Sequence, residues 1–289
     1  MVFPWQEGSR AFSLGQFQGS TKPFAHGYAW DMAKIAVGSH VRDDDPIPAA
    51  KALGIKQIQV FLGDPQSWKG SVIPGGMTAP EFKKAASGLD VYVHARYLIN
   101  VATTNNKVRI PSRKLLQADV DAAASIGAKA VIVHGGHVTD GDVPIVGYQN
   151  WVKALQQLDM KVPLLIENTA GGKNSMARRI ESIKHLWDHV GDFEVGFCLD
   201  TCHAHAGGID MGNLADTILG ITGRIDLLHC NDSRDAFDSG ADRHANLGQG
   251  TIELDNIINC IKTAKAPVIL ETPSDGVADD IKLLEKALG

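Results

Sequence analysis

The stretch CLDTCHAHAGG at 198–208 holds the densest chemistry in the sequence. The apolar run EVGF leads into Cys198 and Leu199, and Asp200 and His203 follow where that run ends. A carboxylate and an imidazole three residues apart can both bind a divalent cation. The carboxyl end of a strand is where parallel α/β folds keep their chemistry. Alone, the pair is an Asp and a His in a polar loop whose turn Gly207 and Gly208 close. It gains weight because similar residues end the neighbouring apolar runs: His40, His94, His134, Glu167, His229 and Glu271. Asp242 and His244 follow in the loop beyond His229.

Of the 11 histidines, His40, His94, His134, His203, His229 and His244 fall at strand ends or just past them. A lone histidine there is more often a hydrogen-bonded structural group than a ligand; the set is what carries the argument. Glu167, Asp200, Asp242 and Glu271, gathered beside them, would repel one another without cations. Neutral imidazole mixed with carboxylate oxygen suits zinc, with manganese or iron as alternatives. Leaving His40 aside, the candidates are too many for one ion, so a multinuclear site is expected. Clustered metals favour phosphoester chemistry, activating water and stabilising the departing oxygen.

The elements that must position these residues are short apolar runs alternating with helical patterns. Strands are expected at 35–41, 55–62, 91–95, 130–136, 162–168, 194–200, 224–232 and 266–272. Helices are expected near 49–54, from the Thr78/Glu81 capping pair to about 89, at 112–127, and near 144–159, 175–190, 210–222, 254–265 and 277–288. Eight alternations predict an α/β chain folded as a (β/α)₈ TIM barrel, whose strand ends converge on one mouth. An open doubly wound sheet is the alternative; no GxGxxG follows the first strand, which counts against a dinucleotide-binding version. The expected organisation is an extension over 1–34, rich in Gly, Ser and aromatics and of no assigned chemistry, then one domain over 35–289.

The formal net charge of −5 does not advertise a nucleic-acid binder, but bound divalent ions would add positive charge where a phosphate would sit. The four cysteines lack zinc-ribbon spacing and suggest no disulfide framework, so a reduced, cytoplasmic setting is expected. No run suits a membrane span, and the N-terminus does not read as a signal peptide.

CLDTCHAHAGG, HCNDSRD, DRHANLGQG, LLIENTAGG, VHARYLIN, VIVHGGH and ILET together resemble the endonuclease IV family of abasic-site DNA repair nucleases. The likeness runs from about residue 35 to the end, and HGGH, NDSRD and FLGDPQSW look most like its actinobacterial branch. The resemblance implies three zinc ions per chain, with manganese an alternative at one or more sites. His94, His134 and Glu167 would hold the first, and Glu167 would bridge to a second held by Asp200, His229 and Glu271. His203, Asp242 and His244 would hold the third. Glu167 would be the catalytic carboxylate, beside the attacking hydroxide.

Tyr97 and Leu98 match the family's wedge, which enters DNA at the lesion; the plainer role is packing. His40 matches a site residue that is not a ligand, equally suited to structural support and to a phosphate contact. Asn231, Arg234, Arg243 and Asn246 are phosphate-contact candidates by position, with solvated loop polarity as the alternative. Gln66 stands where many members have an Arg that helps fill the gap in the DNA, Gly135–Gly136 replaces Pro–Gly, and Arg96 replaces a small residue.

The implied function is hydrolysis of duplex DNA 5′ to abasic sites, leaving a 3′-hydroxyl and a 5′-deoxyribose phosphate. Removal of blocked 3′ ends in base excision repair would use the same site. A monomer acting at the nucleoid is expected, with no membrane partner. A sugar isomerase or epimerase with one or two metals, and a lesion-binding protein without turnover, are the rival readings.

Overall fold

Eight apolar runs pair in parallel and close on themselves. They are β1 (Val37–His40), β2 (Gln57–Phe61), β3 (Asp90–His94), β4 (Ala130–His134), β5 (Leu164–Glu167), β6 (Gly196–Asp200), β7 (Leu227–His229) and β10 (Val268–Leu270). Their order around the barrel is β1-β10-β7-β6-β5-β4-β3-β2, the expected TIM barrel. The computed structural model describes residues 35–42 and 44–289; the aromatic stretch 1–34 singled out above lies outside the described residues.

The two-residue repeat of a strand explains where the polar residues go. Tyr92, Ala130, Ile132, Leu165, Cys198, Leu227 and Ile269 form one buried cluster, separate from the larger core beneath the helices. Two residues beyond members of the small cluster come His94, His134, Glu167, Asp200, His229 and Glu271. Each therefore sits on the same face of its strand as the plug, one step nearer the carboxyl end. Register keeps them level: His134 pairs with Glu167, Asp200 with His229, and His40 with Gln59. The alternate residues, such as Val93, Val133, Ile166, Phe197 and Leu228, belong to the outer core.

The helices are α1 (Pro46–Leu53), α2 (Ala79–Ala85), α3 (Asn106–Ile126), α4 (Ile145–Leu155), α5 (Ile180–Val190), α6 (Thr201–Ala206), α7 (Leu214–Thr222), α8 (Leu254–Ala264) and α9 (Val277–Leu288). Three features differ from expectation. Helix α3 starts at Asn106 rather than 112, capped by Asn105, whose side chain accepts the Lys107 N–H. Pro111 lies in its second turn, immediately before the start expected at 112. Residues 201–206 are a helix rather than a turn, because the Asp200 carboxylate caps them by accepting the His203 N–H at 2.6 Å.

The third difference is the run expected at 224–232. Its barrel strand ends at His229, and β8 (Asp232–Ser233) then pairs antiparallel with β9 (His244–Ala245). Asp232 fixes the return of this hairpin by accepting the N–H groups of Gly248, Gly250 and Ile252 at 2.9–3.0 Å.

Arg96 braces the loop after β2. Its guanidinium donates to the carbonyls of Leu62 (2.8 Å) and Lys69 (2.5 Å) and lies 3.3 Å from Asp119 on α3. Asp119 also accepts from Ser71 at 2.8 Å. Both charged groups are buried, and burial raises the Asp119 pKa. Removing one partner of such a pair strands the other charge. Arg96→Met should therefore lower stability by about 3–5 kcal/mol, read as a shift in the denaturant midpoint. A midpoint within error of wild type would show that the brace is not needed.

Candidate metal centre

Glu167, at the end of β5 and fully buried, is the meeting point of the mouth. Its Oε2 lies 3.3 Å from Nε2 of both His94 and His134. Its Oε1 lies 2.9 Å from Nδ1 of His229 and 3.1 Å from Nδ1 of His203. Three groups have ligand atoms all within 4.8 Å of one another: His94–His134–Glu167, Glu167–Asp200–His229–Glu271, and His203–Asp242–His244. The nine candidate ligands are thus brought together: the first two sets share Glu167, and the third meets it through His203. Two further combinations, His94–His229–Glu271 and Asp200–Cys202–His244, meet the same distance criterion. Burial pushes the Cys202 thiol up to about 12.

The donor set fits divalent cations. Oε2 of Glu167 and Nε2 of His244 are buried without a hydrogen-bond partner. Asp242 Oδ1 lies 3.1 Å from Nε2 of both His203 and His244. Two atoms each about 2.1 Å from a tetrahedral zinc stand roughly 3.4 Å apart, close to these separations. Backbone carbonyls also turn three rings the right way. Nδ1 faces the carbonyl of Ala95 in His94 (2.6 Å), of Asn168 in His203 (2.9 Å) and of Glu271 in His244 (3.2 Å). A carbonyl only accepts, so Nδ1 holds the proton and Nε2 keeps its lone pair for the site.

Two asparagines lock the strand ends. Asn168 exchanges hydrogen bonds with the Asp200 backbone, at 2.9 and 2.8 Å. Asn231 donates to Asp200 Oδ2 at 2.7 Å and accepts the Glu271 N–H at 2.8 Å. Asn231, a phosphate-contact candidate by position, is therefore a buried strut. Asn246, another, is buried and donates to Pro273 O and Asp280. Arg234 is exposed, and Arg243 is exposed and paired with Asp235 through two nitrogens. The loop carrying Asp242 is pinned by its own contacts. Asp238 meets Arg178 at 3.0 Å and Arg179 at 2.7 Å, and Gly240 N–H donates to Ala206 O at 2.8 Å.

Tyr97 is half exposed at the mouth, its ring 6.0 Å from His134 and near parallel to it, and Leu98 is half-buried. Gln66 is exposed on the loop after β2. A cavity of about 830 Å³ lies between that loop and Arg42, bounded by Phe61, Pro65 and Tyr97. A smaller one of about 220 Å³ reaches His134, His203 and Asp242. The His40 side chain is buried, with Nδ1 2.9 Å from Gln59 Nε2 and 3.5 Å from Glu271 Oε1. Sequence reasoning missed Gln59 and Asn168. The available signal for Gln59 was a pair of amides, Gln57 and Gln59, on one face of an otherwise apolar strand.

The chain as a whole is similar to known proteins. A family model described as a xylose isomerase-like TIM barrel matches residues 47–288. A relative from Mycobacterium marinum named "Probable endonuclease 4" is 54% identical over 254 residues, covering 88% of this chain and 99% of its own. One of the same name from Mycobacterium leprae is 53% identical over 256 residues, covering 88% and 100%. The crystal structure of endonuclease IV from Thermus thermophilus superposes with a TM-score of 0.73 at 29% identity, over 88% of this chain and 98% of that one. A D-tagatose 3-epimerase-like protein gives 0.72 at 16% identity, over 88% and 97%, a likeness of fold alone.

The charges at the mouth support one another. Burial opposes ionisation of Glu167, yet the His229 and His134 charges hold it well below the usual range, and His229 does the same for Glu271. Burial opposes charge on His244, but the Asp242 carboxylate beside it and the charges of Asp200 and Glu271 raise it to about 9. Its unfolded value is about 6.5. In chelator-treated protein its stabilising contribution is therefore complete below pH 6.5 and lost as pH rises towards 9. The melting temperature of that protein should fall across this window, while zinc binds more tightly there because protons leave the ligands. A flat melting temperature with pH-independent zinc affinity would contradict this electrostatic account.

Proposed function

The chain belongs to the endonuclease IV family, and from that footing we propose that it is a metal-dependent deoxyribonuclease that incises duplex DNA 5′ to abasic sites. The products are a 3′-hydroxyl and a 5′-deoxyribose phosphate, and the same site clears blocked 3′ ends in base excision repair. The observation that carries this reading is the gathering of nine ligand side chains in three groups around Glu167. His94, His134 and Glu167 would hold one zinc; Asp200, His229 and Glu271, with Glu167 shared, would hold a second; His203, Asp242 and His244 would hold a third. Manganese is the alternative at any of them. Such ions, when bound, supply an activated water and neutralise charge on the phosphate and the departing oxygen. The third group supports a nuclease over a sugar isomerase, which has no evident use for it.

The chain's own residues do the rest. Glu167, itself fully buried, would offset charge on two cations. Asn168 and Asn231 keep Asp200 aligned. The abasic nucleotide must leave the helix to reach the mouth, and a missing base lowers that cost. Tyr97, half exposed beside His134, and Leu98 enter the stack at the lesion, with Gln66 lining the gap. His40 supports the second group from within the wall. Arg243 serves the phosphate backbone by exchanging its Asp235 partner for DNA. Among the described residues no helix is long and apolar enough to cross a membrane. A monomer working in the cytoplasm at the nucleoid completes the proposal.

Wedge insertion costs unstacking energy, recovered only where DNA is already weakened. The wedge therefore serves lesion capture rather than hydrolysis. Tyr97→Ala combined with Leu98→Ala should keep full metal content yet lose at least about tenfold in kcat/KM on an abasic duplex, roughly 1.4 kcal/mol. It should still trim a blocked 3′ terminus, which needs less distortion, and chelator should abolish both activities. Equal losses on both substrates would mean a damaged metal site. An unchanged rate on abasic duplex would make the pair mere packing, and no incision by the wild-type protein would overturn the proposed function.

A further inference from the structure

His229 is turned opposite to the three rings that present Nε2. Its Nε2 lies 2.8 Å from Oε1 of Gln59, and its Nδ1 faces Glu167 Oε1 at 2.9 Å and Glu271 Oε2 at 3.4 Å. The contacts of Gln59 fix which way its amide points. Its Nε2 lies 2.7 Å from Oε1 of Glu271, a carboxylate that only accepts. A flipped amide would set two acceptors face to face, so the nitrogen belongs there and the carbonyl faces His229. A carbonyl accepts, so His229 carries a proton on Nε2 whether its ring is neutral or charged. The remaining hydrogen of the Gln59 amide is directed at Nδ1 of His40, 2.9 Å away.

We propose that Gln59 is a positioning residue for the second ligand group, binding one atom of His229 and one of Glu271 so that the other atom of each is left for the cation. The proposal rests on the ligand set assigned above. Gln59 touches no substrate and is not itself one of the nine ligands. It is fully buried on β2, on the face that carries the other mouth residues, and pairs in register with His40 and Tyr92. A buried amide is costly unless satisfied, and here both ends are engaged, by His229 on one side and by Glu271 and His40 on the other. With an apolar residue in its place the His229 ring loses what selects its tautomer, and Glu271 loses the donor that holds Oε1 aside. Losing a partner that orients a metal ligand weakens affinity about 10- to 100-fold.

Two measurements on the zinc-loaded full chain test this without DNA. The first is two-bond ¹H–¹⁵N correlation NMR on protein labelled with ¹⁵N-histidine, with the His229 ring assigned by its loss in His229→Asn. The wild-type ring should be protonated at Nε2 and zinc-bound at Nδ1. The second is chelator competition on Gln59→Leu, with circular dichroism as the folding control. One zinc equivalent should leave at chelator activities about 10- to 100-fold lower than in wild type, and the others should stay. A His229 ring protonated at Nδ1, or a folded Gln59→Leu that holds every zinc as tightly as wild type, would overturn the proposal. If the variant does not fold, the wild-type spectrum decides alone. Wild type with the expected tautomer but no incision of abasic DNA would sink the nuclease reading and leave this one standing; incision with the opposite tautomer would do the reverse.

Discussion

Three carboxylates, Glu167, Asp200 and Glu271, have ligand atoms within 4.8 Å of one another and of His229, in a barrel mouth where Glu167 and Asp200 are wholly buried. Everything else at the mouth answers to that concentration of negative charge. Like charges so close in a poorly solvated site cannot all ionise unless positive charge is fixed among them. Imidazoles do part of this, as the raised His203, His229 and His244 show. Oε2 of Glu167 still lacks a hydrogen-bond partner, which imidazolium pairing alone does not explain and a cation shared with His94 and His134 does.

The barrel makes this arrangement from a simple rule. Inward positions alternate with outward ones, so an inward residue near the carboxyl end lies two residues beyond an inward residue of the plug. Tyr92 below His94, Ile132 below His134, Leu165 below Glu167 and Cys198 below Asp200 are successive steps of that kind. The apolar layer closes the barrel beneath the charges, and the polar layer faces the loops. The third group is built differently. His203 sits in the helix that Asp200 caps, and Asp242 and His244 come from the hairpin arm that Asp232 and Asp238 pin. Asp200 thereby ties two groups together, since the carboxylate that belongs to one also starts the helix that carries a ligand of the other.

The barrel and the clustering of its polar strand ends were legible in sequence because both rest on local patterns, alternation of apolar runs and residue type at their ends. What escaped depended on distant partners. TCHAHA is too short to show a helical period, and its helix needs the Asp200 cap. Pro111 disguised the true start of α3, which Asn105 sets. Asn231 and Asn246 look like loop polarity along the chain, yet each is committed to a carboxylate far off in sequence, Asp200 and Asp280. Gln59 was hidden for the same reason: its partners lie on β1, β7 and the end of β10, and only barrel closure brings them to β2.

The parts proposed to face the substrate are attached to this centre by few but definite links. Tyr97 stands beside His134, and its backbone N–H donates to Pro65 O at 3.1 Å, so the proposed wedge and the loop that carries Gln66 share a support. Arg96, next in sequence, holds the other end of that loop. The account as a whole turns on cations between the carboxylates. Crystals of protein purified without chelator, measured above and below the zinc absorption edge, test that most directly. The account predicts three anomalous peaks at the mouth: one among His94, His134 and Glu167, one among Glu167, Asp200, His229 and Glu271, and one among His203, Asp242 and His244. A single peak, or none within reach of Glu167 in fully active protein, would contradict it.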